Sequence, residues 1–168
     1  MKRTSQRIVF AGLAAIAFSL FTFSGCKKDG QDPVPPKTDS ITGNVALPDW
    51  KVAEGYDPTS TMTVVAKVDL SLTYTADQLK DAFYQLSDSD LVAAFAGDEC
   101  VGVEKPESNG LFYLGIVAPK TQGTPIVLRY YSKKVSNIFE AQSTLTFQND
   151  ERIGDHQNPY TPEFKVKK

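Results

Sequence analysis

The chain has 168 residues, of which 41% are hydrophobic and 23% charged, a balance typical of one globular domain and not of a disordered chain or a polytopic membrane protein. One histidine and two cysteines are too few for zinc-finger domains or disulfide-dense scaffolds. A formal net charge of −2 without a long basic run argues against nucleic-acid binding.

The first 25 residues differ in character from the rest. They hold three of the 18 basic residues and none of the 20 acidic ones, so residues 26–168 carry a formal charge of −5. A basic start is followed by an uncharged apolar stretch at 8–23, the order found in secretory signal peptides. This stretch is shorter than the roughly 20 residues that a membrane-spanning helix needs. Residues 1–25 are therefore predicted to be a signal peptide.

The end of this segment, Phe23-Ser24-Gly25-Cys26, resembles the lipobox of bacterial lipoproteins. Phe23 departs from the aliphatic residue usual at that position. The resemblance implies that Cys26 becomes the first mature residue and carries the acyl chains, palmitate among them. Each buried methylene contributes about 0.8 kcal/mol, so a multiply acylated Cys26 would hold the protein on a membrane. The alternatives are an ordinary signal peptide with an incidental cysteine and a retained helix.

Residues 26–40 are polar and proline-rich, which predicts an extended, semi-rigid tether. Asp29 and Asp32 follow the cysteine closely, as in the surface-export tethers of Bacteroidota lipoproteins, although this stretch is less acidic. The resemblance implies an outer-membrane protein displayed at the cell surface. A periplasm-facing position is the alternative.

Residues 41–168 are predicted to be one domain built from strands. Apolar residues alternate over 62–72, and Gly97-Asp98 separates apolar runs at 91–95 and 100–104, which indicates a hairpin. Further strands are predicted at 111–118, 126–131, 138–141, 143–147 and 163–166.

One short helix is predicted over 76–86. Thr75 and Gln78 have capping-box spacing, and Leu79, Phe83 and Leu86 follow at helical intervals. A strand-connecting loop is the alternative.

The fold class is therefore mainly β: an antiparallel, immunoglobulin-like β-sandwich of seven to eight strands with one short helix. The lone Cys100 is expected to be buried at a strand start as a small hydrophobe.

The sequence LVAAFAGDECVGV at 91–103 resembles a segment found in many Bacteroidota surface proteins. Looser matches follow at 111–116, at 126–132 and in Asn-Pro-Tyr at 158–160. The resemblance implies a β-sandwich module of secreted or lipid-anchored proteins that serves interaction or adhesion and brings no catalytic residues. Many of those proteins have Arg where this chain has Val101.

The residues offer little for catalysis or for metal binding. No nucleophile motif accompanies His156, which favours an exposed loop histidine. Acidic groups that could supply oxygens to Ca²⁺ do not have the spacing of an EF-hand loop, so solvated loops are the preferred interpretation. These groups are Asp150, Glu151 and Asp155, and the pair Asp88 and Asp90. We expect no enzyme activity, no cofactor and no metal.

Trp50 and Tyr56 lie in a loop-rich stretch before the first strong strand, where exposed rings could stack on sugars. They are the candidate ligand-binding residues, with Trp50 as a plug at one end of the core as the alternative. The leading hypothesis is a surface lipoprotein that binds a glycan or protein ligand. The alternatives are a structural subunit of a fimbria-like or envelope complex and, less favoured, a polysaccharide hydrolase.

Overall fold

A computed structural model describes residues 40–52, 54–57 and 59–168, which belong to one compact unit. The predicted signal peptide, Cys26 and all but the last residue of the predicted tether lie outside these residues. The described part contains eight strands: β1 (Thr61–Lys67), β2 (Leu91–Ala96), β3 (Glu99–Glu104), β4 (Leu111–Val117), β5 (Ile126–Ser132), β6 (Asn137–Leu145), β7 (Arg152–Ile153) and β8 (Phe164–Val166). It also contains a 3-10 helix (Leu70–Leu72) and the helix α1 (Ala76–Asp81).

The strands form two sheets. One has the order β4-β1-β7 and the other has the order β3-β2-β5-β6-β8. Neighbouring strands run antiparallel except β1 and β7, which pair in parallel over two residues. The prediction of a mainly-β sandwich with seven to eight strands and one short helix is confirmed, with this parallel pair as a departure.

Alternate residues of the longer strands of both sheets face the core between the sheets. The three-stranded sheet contributes Met62, Val64, Ala66, Phe112, Leu114 and Ile116. The five-stranded sheet contributes Val92, Ala94, Ile126, Leu128, Tyr130 and Phe139. The rings of Tyr130 and Phe139 stack with centroids 5.7 Å apart. The period-two pattern of the sequence therefore corresponds to a buried face on each sheet.

A glycine in β3 allows the two sheets to approach closely at one side. A Cβ atom on Gly102 of β3 would stand 2.6 Å from the carbonyl oxygen of Gly115 in β4. That is closer than Cβ atoms approach other heavy atoms in proteins, so a side chain here would force the strands apart. The lack of a side chain at position 102 thus lets β3 lie against β4.

Three strand boundaries differ from the prediction. β1 ends at Lys67 instead of continuing to 72, because the Asp69 carboxylate accepts hydrogen bonds from the backbone and hydroxyl of Ser71 and caps the 3-10 helix. The strands predicted at 138–141 and 143–147 are a single strand, β6, with a register shift opposite β5. β7 was not predicted, since two residues give no alternation.

The helix α1 begins as predicted, with the capping box between Thr75 and Gln78. It ends at Asp81, however, and does not reach 86.

A Schellman motif ends the helix. The backbone N–H of Phe83 donates to the Lys80 carbonyl, and that of Tyr84 donates to the Leu79 carbonyl. Phe83 has a φ of 52°, the left-handed conformation that glycine usually supplies at this position. The capping box therefore predicted the start of α1 correctly, whereas the helical spacing of the apolar residues predicted its end wrongly.

A buried carboxylate joins three segments at the end of the sandwich where β2 begins. Asp90 is fully buried, and its Oδ2 accepts hydrogen bonds from the Tyr130 hydroxyl at 2.6 Å and the Ser87 backbone N–H at 3.0 Å. Its Oδ1 accepts a hydrogen bond from the Lys133 backbone N–H at 2.8 Å. The Tyr84 hydroxyl lies 3.4 Å from that of Tyr130 and extends the network. Burial raises the pKa of Asp90, while the hydrogen bonds partly oppose this shift.

Asp90 gives stability a pH dependence that a Tyr130→Phe variant should change. Because its pKa is raised in the folded state, the contribution of Asp90 is fully present below about pH 4 and is lost as the pH rises through the raised value. Tyr130→Phe removes a hydrogen bond that favours the ionised carboxylate, so the pKa should rise further. We expect the loss in free energy of unfolding to grow from below about 1 kcal/mol at roughly pH 4 to about 1.5–3 kcal/mol near pH 8.

Urea unfolding over this pH range measures the effect. Tyr131→Phe is the matched control, because the Tyr131 hydroxyl donates to the Val45 carbonyl and not to Asp90. The cost of Tyr131→Phe should not vary with pH. A cost of Tyr130→Phe that is equally flat would contradict the role assigned to Asp90.

Candidate functional site: the outer face of the five-stranded sheet

The outer face of the five-stranded sheet is the surface turned away from the core. Ala93, Phe95 and Tyr131 lie on it, yet none is more than 5% exposed. Since the other sheet lies on the core side, another part of the chain must cover them. Contacts to Phe95 and Tyr131 come from residues 41–52, which we call the N-terminal arm.

The arm joins the sandwich beside the turn between β5 and β6. The backbone N–H of Gly43 donates to the Val135 carbonyl, and that of Val45 donates to the Ser136 carbonyl. Ile41 inserts into the core and is 1% exposed. These contacts fix the start of the arm, and the Tyr131 hydroxyl then donates to the Val45 carbonyl at 3.4 Å.

Further along the arm, Trp50 packs on the sheet. Its ring meets Phe95 edge-on with centroids 5.6 Å apart, and the guanidinium of Arg129 lies 4.1 Å from the centroid of the same Phe95 ring. Arg129 Nε also donates to Glu140 at 2.9 Å. Trp50 is half-buried and covers the outer face of the sheet, so its position differs from the predicted alternative of a plug at one end of the core.

Tyr56 lies at the edge strand β3. Its hydroxyl donates to Glu99 at 3.2 Å, and the Lys120 ammonium lies 5.3 Å from the centroid of its ring. Lys120 also forms an ion pair with Glu99 at 3.1 Å, which raises the pKa of Lys120. The ring of Tyr56 is half-buried against the core. Both candidate residues therefore make contacts within the fold, and neither ring is fully exposed.

An open groove lies at the β8 edge of the same sheet. Its volume is about 670 Å³. It is lined by Ser40, Thr73, Tyr74, Glu140, Gln142, Val166 and the three lysines Lys165, Lys167 and Lys168. Glu140 supplies the only acidic side chain in this lining, and Arg129 already pairs with it. The groove therefore presents positive charge on a domain whose overall charge is negative.

Sequence reasoning did not find this groove. The alternation in Phe164-Lys165-Val166-Lys167 was a usable signal, because it places two lysines on the face opposite the buried Phe164. What it did not show is that Glu140 and Gln142 of β6 lie beside them.

Other residues considered from the sequence are dispersed. His156 is exposed, and its Nδ1 lies 3.3 Å from the Tyr113 hydroxyl. The expectation of a buried Cys100 is only partly met, since it is half-buried at the second position of β3, where burial raises its thiol pKa. The bulge in the β2–β3 pairing places Val101 in the core, so Cys100 faces outward with Phe95.

The acidic residues considered as calcium ligands have different environments in the structure and do not form one site. Asp155 Oδ1 accepts hydrogen bonds from the backbone N–H groups of Gln157 and Asn158, which lowers its pKa. Asp90 is buried in the network described above, whereas Asp88 is exposed. Within residues 40–52, 54–57 and 59–168, no group of three or more His, Cys, Asp or Glu side chains is placed to hold a metal ion. Asp150 and Glu151 belong to no such group.

Comparisons of the chain with protein-family models, curated proteins and solved structures found no match. None of the helices in the described part of the chain is long and apolar enough to cross a membrane.

The contact between Trp50 and Phe95 should hold the arm on the sheet. Trp50→Ala removes the aromatic contact, so we expect opening of the arm to become easier by about 1–2 kcal/mol, which is about 5–30-fold in population. Lys51 is exposed and adjacent, so tryptic cleavage after Lys51 under native conditions measures this opening.

Val52→Ala is the matched control, because the Val52 side chain is already exposed. It should leave cleavage after Lys51 within about twofold of the unsubstituted protein. If Trp50→Ala also leaves the rate unchanged, the ring does not hold the arm.

Proposed function

We propose that the chain is a lipoprotein, anchored in the outer membrane through acyl chains on Cys26 and exposed at the cell surface. Its β-sandwich binds a negatively charged ligand and catalyses no reaction. The lipobox-like sequence ending at Cys26 and the proline-rich tether over 26–40 support the anchor. The resemblance of 91–103 to modules of Bacteroidota surface proteins supports an interaction role.

The groove at the β8 edge is the observation that carries the binding function. Lys165 and Lys167 bring two ammonium groups to one side of an open channel, and Gln142 adds an amide. Its volume of about 670 Å³ is within the usual range of ligand sites, about 300–1,000 Å³. Ammonium groups bind carboxylate, sulfate or phosphate, so an acidic polysaccharide is the ligand class that this groove fits best.

The β8 edge favours this function over that of a subunit assembled by strand addition. Strand addition needs a sheet edge with unpaired backbone groups. The outward N–H of Val166 in β8 donates to the Tyr74 hydroxyl at 2.7 Å, so this edge is already occupied at that point.

The hydrolase alternative has less support. Glycoside hydrolysis uses two carboxyl groups that flank the scissile bond in a cleft. Asp90 has a raised pKa, but it is fully buried and out of reach of a polysaccharide. The groove offers Glu140, which is paired with Arg129.

The anchor predicts the behaviour of a Cys26→Ala variant. Without the thiol no acyl chain can be attached, so the protein should move from the membrane fraction to the soluble fraction of its own cells. Cys100→Ala is the matched control and should remain with the membranes. If Cys26→Ala also remains there, a retained helix is the better explanation.

The groove predicts a selective effect of charge reversal at Lys165. Lys165→Glu should weaken binding to an acidic polysaccharide such as polygalacturonate by about tenfold, equivalent to about 1.4 kcal/mol, measured by calorimetry with the mature protein in detergent. Lys67→Glu makes the same charge change at an exposed residue of β1 in the other sheet, and binding should stay within about twofold.

Neutral dextran serves as a ligand control and should not bind. Equal losses in Lys165→Glu and Lys67→Glu would mean that only the total charge matters. Absence of binding to any acidic polysaccharide would remove the support for the proposed ligand class.

A further inference from the structure

Phe83 combines a highly exposed apolar side chain with a strained backbone conformation. Residues that serve only the fold rarely have both features. The side chain of Phe83 is 83% exposed, the largest exposure among the exposed large hydrophobic residues of the described chain. Its backbone has a φ of 52°, which is strained for a residue with a Cβ atom. Glycine would end α1 without that strain and without an exposed ring. An unfavourable local conformation that presents an apolar ring to solvent points to a contact outside the domain.

Basic residues line the concavity beside Phe83, and the exposed Asp81 at the end of α1 is not part of that lining. This concavity has a volume of about 370 Å³ and is lined by Leu79, Lys80, Phe83, Tyr84, Gln85 and Lys134. Two of these residues are lysines and none is acidic. An aromatic ring next to ammonium groups is the combination that proteins place at the membrane–water interface, where the ring sits among headgroups and the lysines meet lipid phosphates.

This patch lies at the end of the sandwich where the arm begins. Lys134 belongs to the turn between β5 and β6, and the next two residues, Val135 and Ser136, accept the hydrogen bonds from Gly43 and Val45. The chain that leads from the arm back to Cys26 is 14 residues long, from Ser40. At full extension it spans about 50 Å, which allows this end of the domain to reach the bilayer surface.

We propose that Phe83, with Lys80 and Lys134 beside it, docks on the surface of the bilayer in which the lipid anchor is inserted. The inference rests on the proposed anchoring through Cys26. Docking would hold the domain with this end toward the lipid and leave the opposite end, with the β2–β3 turn at Gly97, directed away from it.

A tryptophan introduced at position 83 tests this directly. The full lipidated protein carrying Phe83→Trp and Trp50→Phe has one indole, and it is reconstituted into vesicles of three parts phosphatidylcholine and one part phosphatidylglycerol. We expect a lipid with a quencher near the headgroup to reduce its emission by about half, and acrylamide quenching to be about threefold weaker than for a fully exposed indole.

The matched control carries Gln122→Trp with Trp50→Phe. Gln122 is exposed in the loop before β5, at the other end of the sandwich. We expect the lipid quencher to leave its emission within about a tenth of the original value and acrylamide to quench it fully. Equal lipid quenching at the two positions would overturn the proposal, because it would show no preferred end.

A second variant separates docking from folding. Phe83→Gly relieves the backbone strain, so it should fold at least as well as the unsubstituted protein. It is combined with Gln122→Trp, which supplies the reporter indole, and with Trp50→Phe, which removes the native one. Without the Phe83 ring the domain should be free to reorient, so lipid quenching of the indole at position 122 should rise by about twofold. Unchanged quenching at position 122 would contradict the proposal.

Flotation of the same vesicles tests the anchor independently. If the protein floats with the vesicles but the indole at position 83 is not quenched by lipid, the docking proposal is wrong and the anchor stands. If the protein does not float, the proposed anchoring fails. A spectral shift that depends on protein concentration and not on the lipid quencher would indicate contact with a second copy, which also overturns docking.

Discussion

The hydrogen bonds to the buried Asp90 carboxylate are the interaction on which the rest of the structure depends. They come from Ser87 before β2, from Tyr130 in β5 and from Lys133 in the following turn. Each hydrogen bond to a charged group contributes about 1.5–3 kcal/mol, whereas an exposed ion pair such as Lys51 with Asp49 contributes about 0–1 kcal/mol. The turn held in this way accepts the hydrogen bonds of the arm, and Tyr84, next to Tyr130, positions the end of α1. The arm that covers the outer face and the end of α1 that presents Phe83 therefore both depend on the hydrogen bonds to Asp90.

The sequence predicted the elements that depend on local patterns. The hairpin around Gly97 and the capping box at Thr75 are local signals, and both are confirmed. The end of α1 was missed because its Schellman motif has Phe83 where the usual signal is glycine. The single strand β6 was missed because its register shift opposite β5 interrupts the alternation that defines a strand in sequence.

The candidate site was only partly predictable, since it depends on contacts between distant residues. Trp50 was recognised as unusual, but its contact with Phe95 across 45 positions leaves no local pattern. The same holds for the groove, where Glu140 of β6 and Lys165 of β8 become direct neighbours only through strand pairing. Period-two alternation shows which residues share a face, but it does not show which strands lie side by side.

The arm has a mechanical consequence if the chain is held by the proposed lipid anchor while its domain is bound to the proposed ligand. A pulling force along the tether reaches the arm before it reaches any strand. It acts first on the hydrogen bonds from Gly43 and Val45, and then on the packing of Trp50. Peeling residues 41–52 from the sheet would lengthen the connection by at most about 40 Å while the two sheets stay folded. The arm can thus act as an extensible link that absorbs a sudden load before the sandwich itself is strained.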